Sequence, residues 1–154
     1  MKIIFYGNKQ GNIFDKLIRW WTSPLADMFN GKWKDSYSHC EILFSDGMMF
    51  SASQYENRTR YRRHNRRSKS WVVIDITGTT SDEMLVRFYC DRIEGKRYDY
   101  LGILGFIFGT PDSKSKWFCS EACTSVLQNI GMCKTLTSGK TSPNALYLDL
   151  ININ

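Results

Sequence analysis

Apolar and polar positions alternate at the start of the chain, in "KIIFYG", and predict a first β-strand near residues 2 to 6. The period then changes. Ile13, Phe14, Leu17, Ile18 and Trp21 recur at helical spacing with Pro24 beyond them, which predicts a helix from about Asn12 to Trp21; residues 25 to 36 read as a loop. Next comes "YSHCEILFSDGMMFSAS", two apolar runs separated by "SDG", the signature of a hairpin. On its first arm, strand alternation puts His39, Glu41 and Leu43 on one face and Cys40, Ile42 and Phe44 on the other. "SWVVIDI", residues 70 to 76, predicts a further strand.

Helical signals dominate the second half. "TTSDEMLVRFYCDRIEG" offers Thr80 as N-cap, Glu83 at the third helical position to close a capping box, and Gly95 as the stop. "YDYLGILGFIFGTP" reads as a packed, partly helical connection. A helix following Cys119 runs to about Asn129 and stops at Gly131, with Ala122, Cys123, Val126, Leu127 and Ile130 as its apolar stripe. Ser142 before Pro143 caps a last short turn. A helix, then strands, then helices, without an internal repeat, predicts an α+β fold with a largely antiparallel sheet. At 154 residues the expectation is a single domain, residues 1 to 154.

Composition narrows the setting. No apolar run approaches the ~20 residues of a membrane span, and the opening "MKIIFYGNKQGN" turns polar too soon for a secretion signal, so a cytoplasmic location is expected. A virion component or a protein released by lysis would have the same composition. Five cysteines, odd in number and scattered, suit reduced thiols better than a disulfide framework. Cys119, Cys123 and Cys133 with His39 could supply four zinc ligands, but the paired C-x2-C spacing is absent, so neither metal nor other cofactor is expected.

The net charge of +6 is local. "RTRYRRHNRRSK", residues 58 to 69, holds seven of the 21 Lys and Arg and no acid, which leaves 14 basic against 15 acidic residues, or −1, elsewhere. Such a block is commonly a solvated, mobile loop. Its functional reading is contact with a polyanion such as nucleic acid, a wall polymer or an acidic protein, with Arg58, Arg60 and Arg62 as candidate substrate contacts.

Candidate chemistry centres on Cys119. In the first turn of a helix, unpaired backbone N–H groups and the macrodipole favour a thiolate, and Cys119 stands there at an expected exposed end. With a histidine in reach, thiolate and imidazolium form the pair that attacks acyl carbons. The chain has two histidines. His64 falls in the basic block, where a mobile loop could not fix it, whereas His39 is strand-borne. Glu41, on the same face as His39, and Ser51, on the hairpin's second arm, are the candidates to orient its ring. The bland alternative is that Cys119 is a small buried residue, as Cys123 on the apolar stripe is expected to be.

The segments "YSHCEILF", "DG" and "FSAS", followed later by "YDYLG" and "WFCSEAC", resemble the circularly permuted branch of the NlpC-type, papain-like cysteine hydrolases, in which the histidine strand precedes the nucleophile helix. The opening "FYGNKQGNIFDKLIRWWTSPLADMF" resembles the start of small phage-encoded members, and the likeness spans roughly residues 3 to 130. It implies a permuted papain-like fold, Cys119 of "CSE" as nucleophile and His39 of "SH" as general base. The family's third polar residue, often His, Asn, Gln or Glu, normally comes from the strand after the histidine. Ser51 occupies that place here, which leaves Glu41 or Ser51 for the role. Glu121 reads as a capping or structural residue.

The implied reaction is hydrolysis of an amide, peptide or isopeptide, through an acyl-enzyme. Peptidoglycan peptides or a host protein would be the substrate. Two alternatives stand beside it. One is a catalytically inactive binding module that holds nucleic acid or an acidic partner through residues 58 to 69. The other is an acyltransferase or thioesterase, for which "LIRWWT" would be the only candidate membrane-surface segment.

Overall fold

A computed structural model describes residues 1–7, 16, 37–64, 71–100 and 115–153. Apart from Lys16, the helix expected over residues 12 to 21 lies outside them, as do the loop 25–36, residues 65–69 of the basic block and most of the "YDYLGILGFIFGTP" connection. The described residues form an α+β fold: a seven-strand, mostly antiparallel sheet with three helices.

The strands are β1 (Lys2–Tyr6), β2 (His39–Leu43), β3 (Met48–Ser53), β4 (Arg58–Arg63), β5 (Trp71–Asp75), β6 (Arg97–Tyr98) and β7 (Lys116–Trp117). Their order across the sheet is β5-β1-β2-β3-β4-β6-β7, and only β6 and β7 run parallel. The hairpin of β2 and β3 turns at Gly47, whose φ of +81° is open to glycine without strain. Register sets the two faces. Ile3 stands opposite Ile42, and Phe5 opposite Cys40. These residues point with Phe50 at the helices, while Tyr6, His39 and Glu41 point the other way.

The helices are α1 (Thr80–Ile93), α2 (Cys119–Gln128) and α3 (Pro143–Ile153). Val86 and Cys90 of α1, Cys123, Val126 and Leu127 of α2, and Leu146 and Leu150 of α3 are buried against the Ile3–Phe5–Ile42–Phe50 face. Each fully buried Leu, Ile or Phe contributes about 1.5–3 kcal/mol to holding these layers together. As expected, α2 stops before Gly131, which has φ +83°. No helix among the described residues is long and apolar enough to cross a membrane.

Three expectations are corrected. The N-cap of α1 is Thr79, not Thr80, and the capping box closes with Asp82, not Glu83. Glu83 has other partners: Oε1 accepts from the Ser45 backbone and hydroxyl, and Oε2 lies 3.6 Å from the amino terminus. The segment after Ser142 is an 11-residue helix rather than a short turn, although Ser142 does cap it by accepting from the Ala145 N–H.

The third correction matters most. The first half of the basic block is a strand, β4, paired with β3 from Arg58 opposite Ser53 to Arg63 opposite Met48. Thr59 is buried, and Tyr61 lies with its ring 4.9 Å from that of Phe50 and its hydroxyl donating to Asp91 at 2.7 Å. On the other face, Arg60 is buried and Arg62 is partly so. The charge concealed a period-two pattern, because two of the arginines have a buried anion to meet.

Candidate active site

That anion is Glu41. Its side chain is fully buried, so its charge is tolerable only if paired and hydrogen-bonded. Oε1 accepts from both terminal nitrogens of Arg60, at 3.1 and 3.2 Å, and lies 3.3 Å from His39 Nε2. Oε2 accepts from Arg62 Nη2 at 2.8 Å and from the Tyr6 hydroxyl at 2.7 Å. Tyr6 is placed by the β1–β2 register, directly opposite His39. Arg60 is braced in turn by Glu56, 2.8 Å from its Nε. The carboxylate is therefore locked, and with it one side of the imidazole.

Beyond Ile42–Phe50 the β2–β3 ladder ends, and side chains replace it. The Ser51 hydroxyl donates to the Cys40 carbonyl at 2.7 Å, and the Cys123 thiol approaches the same carbonyl at 3.9 Å. Helix α2 is thus pinned to the start of β2. Its own start is fixed by Glu121, which accepts from the Phe118 N–H at 3.3 Å, and by the Ser120 hydroxyl, which donates to the Thr141 carbonyl at 2.7 Å. Glu121 therefore caps, as expected.

These anchors bring Cys119, the first residue of α2, near enough to His39 for each side chain to shift the ionisation of the other. The Cys119 thiol is held well below the ordinary thiol range. A hydrogen bond from the Cys40 thiol and the charge and hydrogen bond of His39 outweigh the opposing effect of burial. Burial alone would lower the His39 value, but Cys119 and Glu41 overcome it and raise it to about 10. Burial would raise the Glu41 carboxyl, yet His39, Arg62 and Tyr6 hold it below the usual carboxylate range. All three groups are driven toward their charged forms: thiolate, imidazolium, carboxylate.

The expected site residues are thus partly brought together. Cys119, His39 and Glu41 meet; Ser51 does not reach His39, since its hydroxyl serves the backbone of Cys40. Cys119 is not at an exposed end but only 2% exposed, because Cys40 and Cys123 pack around it in the core. His39, with a side chain 24% exposed, is the solvent-facing member of the pair. His64 is not adrift: its Nδ1 lies 3.2 Å from the Met49 sulfur and its ring 5.1 Å from that of Trp71. Among the candidate substrate contacts, Arg60 and Arg62 turn to Glu41, while Arg58 is exposed and lies 3.7 Å from Glu56. Among the described residues no group of three or more His, Cys, Asp and Glu could hold a metal ion.

Sequence reasoning passed over Tyr6, Cys40 and the support that Arg60 and Arg62 give Glu41. The available signal was the alternation in "RTRYRR" together with a lone acid in the apolar strand "HCEIL". A thiolate, an imidazolium and a locked carboxylate in series can attack an acyl carbon and pass a proton to the leaving group. Comparison of the chain with models of known protein families, with curated proteins and with solved structures finds no match.

Proposed function

We propose that the chain is a cysteine hydrolase that cleaves an amide bond, peptide or isopeptide, through an acyl-enzyme. The observation that carries this reading is the series Glu41–His39–Cys119, in which a buried carboxylate holds the imidazole Nε2 and the imidazole in turn favours the thiolate at a helix start. The same arrangement, with the histidine strand upstream of the thiol helix, supports a permuted papain-like fold of the NlpC type spanning a single domain.

In this mechanism the Cys119 sulfur attacks the carbonyl carbon, and the electron pair moves to the oxygen. First-turn N–H groups of α2, which no helical carbonyl can take, are placed to stabilise that oxyanion. The His39 imidazolium then gives its proton to the departing amine, leaving a thioester on Cys119. Water attacks the thioester with neutral His39 as base, which restores the ion pair. Glu41 touches no reacting atom; it is a positioning residue that fixes ring and tautomer.

No observation favours polyanion binding as strongly, since two of the arginines that suggested it are paired with Glu41. The test is acyl transfer from an activated ester, p-nitrophenyl acetate, followed by peptide mapping. A burst with the acetyl group on Cys119, abolished in Cys119→Ala and His39→Ala, is the expected outcome. Acetylation spread over several thiols, or none at Cys119, would overturn the assignment. Digestion of purified peptidoglycan by the wild-type chain but not by Cys119→Ala, read by the mass of released peptides, separates a wall substrate from a protein one.

A further inference from the structure

Of the charged partners of Glu41, His39 with 24% of its side chain exposed and Arg62 with 40% keep solvent access, against 8% for Arg60. Anything approaching His39 from solvent therefore meets Arg62 beside it. A guanidinium carries five N–H donors. Arg62 gives Nη2 to Glu41, and 40% of its side chain remains open to solvent.

Charge points the same way. Arg58, Arg60 and Arg62 stand against Glu41 and Glu56, and three cations less two anions leave +1. The His39–Cys119 pair adds nothing when both members are charged. Arg60 is shared between the two carboxylates, so the excess positive charge falls at the exposed end, on Arg62. Beside it lies a row of rings set by the strand register. Tyr6 is 5.4 Å from His39 and 5.0 Å from Trp71, and Trp71 is 5.1 Å from His64. Trp71, Tyr6 and His64 are only partly buried.

We propose that Arg62, which meets Tyr6 at the Glu41 carboxylate, is a carboxylate-binding subsite beside His39, and that the substrate is an amide carrying an anionic carboxylate near the scissile acyl group. The proposal rests on the hydrolase reading and narrows its substrate class. Arg62 is a specificity residue: its fork matches a carboxylate, and the rings supply a flat wall for the adjoining carbon chain.

Two alkylating reagents of the same size, anionic iodoacetate and neutral iodoacetamide, test this without knowledge of the substrate. The rate of modification of Cys119 is followed by mass spectrometry. The expected result is a preference of wild type for iodoacetate, with Arg62→Gln lowering the iodoacetate rate roughly tenfold more than the iodoacetamide rate and Arg62→Lys intermediate. An unchanged ratio in Arg62→Gln overturns the subsite. A second arm uses wild-type protein only: N-acetylglycine should slow iodoacetamide modification of Cys119, and N-acetylglycinamide at the same concentration should not. Equal effects, or none, overturn the proposal even if the variants fail to fold. If iodoacetamide shows no selectivity for Cys119, the hydrolase reading fails; if Cys119 is selected without any preference for the anion, the subsite alone fails.

Discussion

Glu41 stands two residues after His39 on the same strand face and presents Oε1 to the imidazole Nε2 at 3.3 Å. A carboxylate this deeply buried cannot pair with one histidine alone. Arg60, Arg62 and Tyr6 complete its shell, so ring orientation and fold stability depend on the same side chain.

Glu41→Gln separates these two dependences. The amide keeps the shape but removes the charge that two guanidiniums share, and breaking a buried ionic network from one side typically costs about 3–5 kcal/mol. Urea unfolding should show a loss of that order. Alkylation of Cys119 at pH 6 should slow as well, because His39 loses the countercharge that favours imidazolium. A stability change below about 1 kcal/mol would mean that the arginines do not rely on Glu41.

Ser51→Ala should behave differently. Its hydroxyl ties β3 to the Cys40 carbonyl, and loss of one buried hydrogen bond costs about 1–2 kcal/mol. Cys119 alkylation should change by less than about twofold, since Ser51 touches neither reacting side chain. An alkylation defect as deep as that of Glu41→Gln would make Ser51 the orienter after all.

How much of this was legible depended on whether the signal was local. "KIIFYG", the "SDG" hairpin and the stripe from Ala122 to Leu127 follow period rules, and each occurs where its pattern predicts. The shared face of His39 and Glu41 was legible for the same reason. The strand in "RTRYRR" was not, because its stability comes from a partner anion 19 residues upstream of Arg60, and single-segment composition carries no information about that. The burial of Cys119 was hidden likewise: position in a helix can be read locally, but Cys40 closes over it from another strand. That Ser51 serves the Cys40 carbonyl and Glu41 the His39 ring depends on how β2 and β3 lie side by side, which neither segment shows alone.

The shifted cap on α1 is open to a simple check. Thr79→Ala removes the side-chain oxygen that accepts from the Asp82 N–H and should cost about 1 kcal/mol. Thr80→Ala should stay within about 0.5 kcal/mol. Thermal unfolding of the two variants side by side distinguishes them, and the reverse order would return the cap to Thr80.

The pH dependence of alkylation examines the ion pair directly. Cys119 lies below the ordinary thiol value, so its thiolate is present above that lowered value and is lost only as pH falls through it. His39 is raised to about 10, so imidazolium, and the stability it contributes, persist from below its usual 6.5 until pH rises through about 10. Between these limits the thiolate fraction is constant. Iodoacetamide modification of Cys119 should therefore run at nearly the same rate at pH 6 and pH 8, whereas an ordinary thiol slows roughly hundredfold over that interval. Burial pushes Cys133 up to about 12 and raises Cys90 and Cys40 as well, so these three should stay unmodified at pH 6. His39→Ala should replace the plateau with the slope of an ordinary or raised thiol. A wild-type profile that already follows that slope would show that the imidazolium does not hold the thiolate, and the acyl-transfer reading would lose its central group.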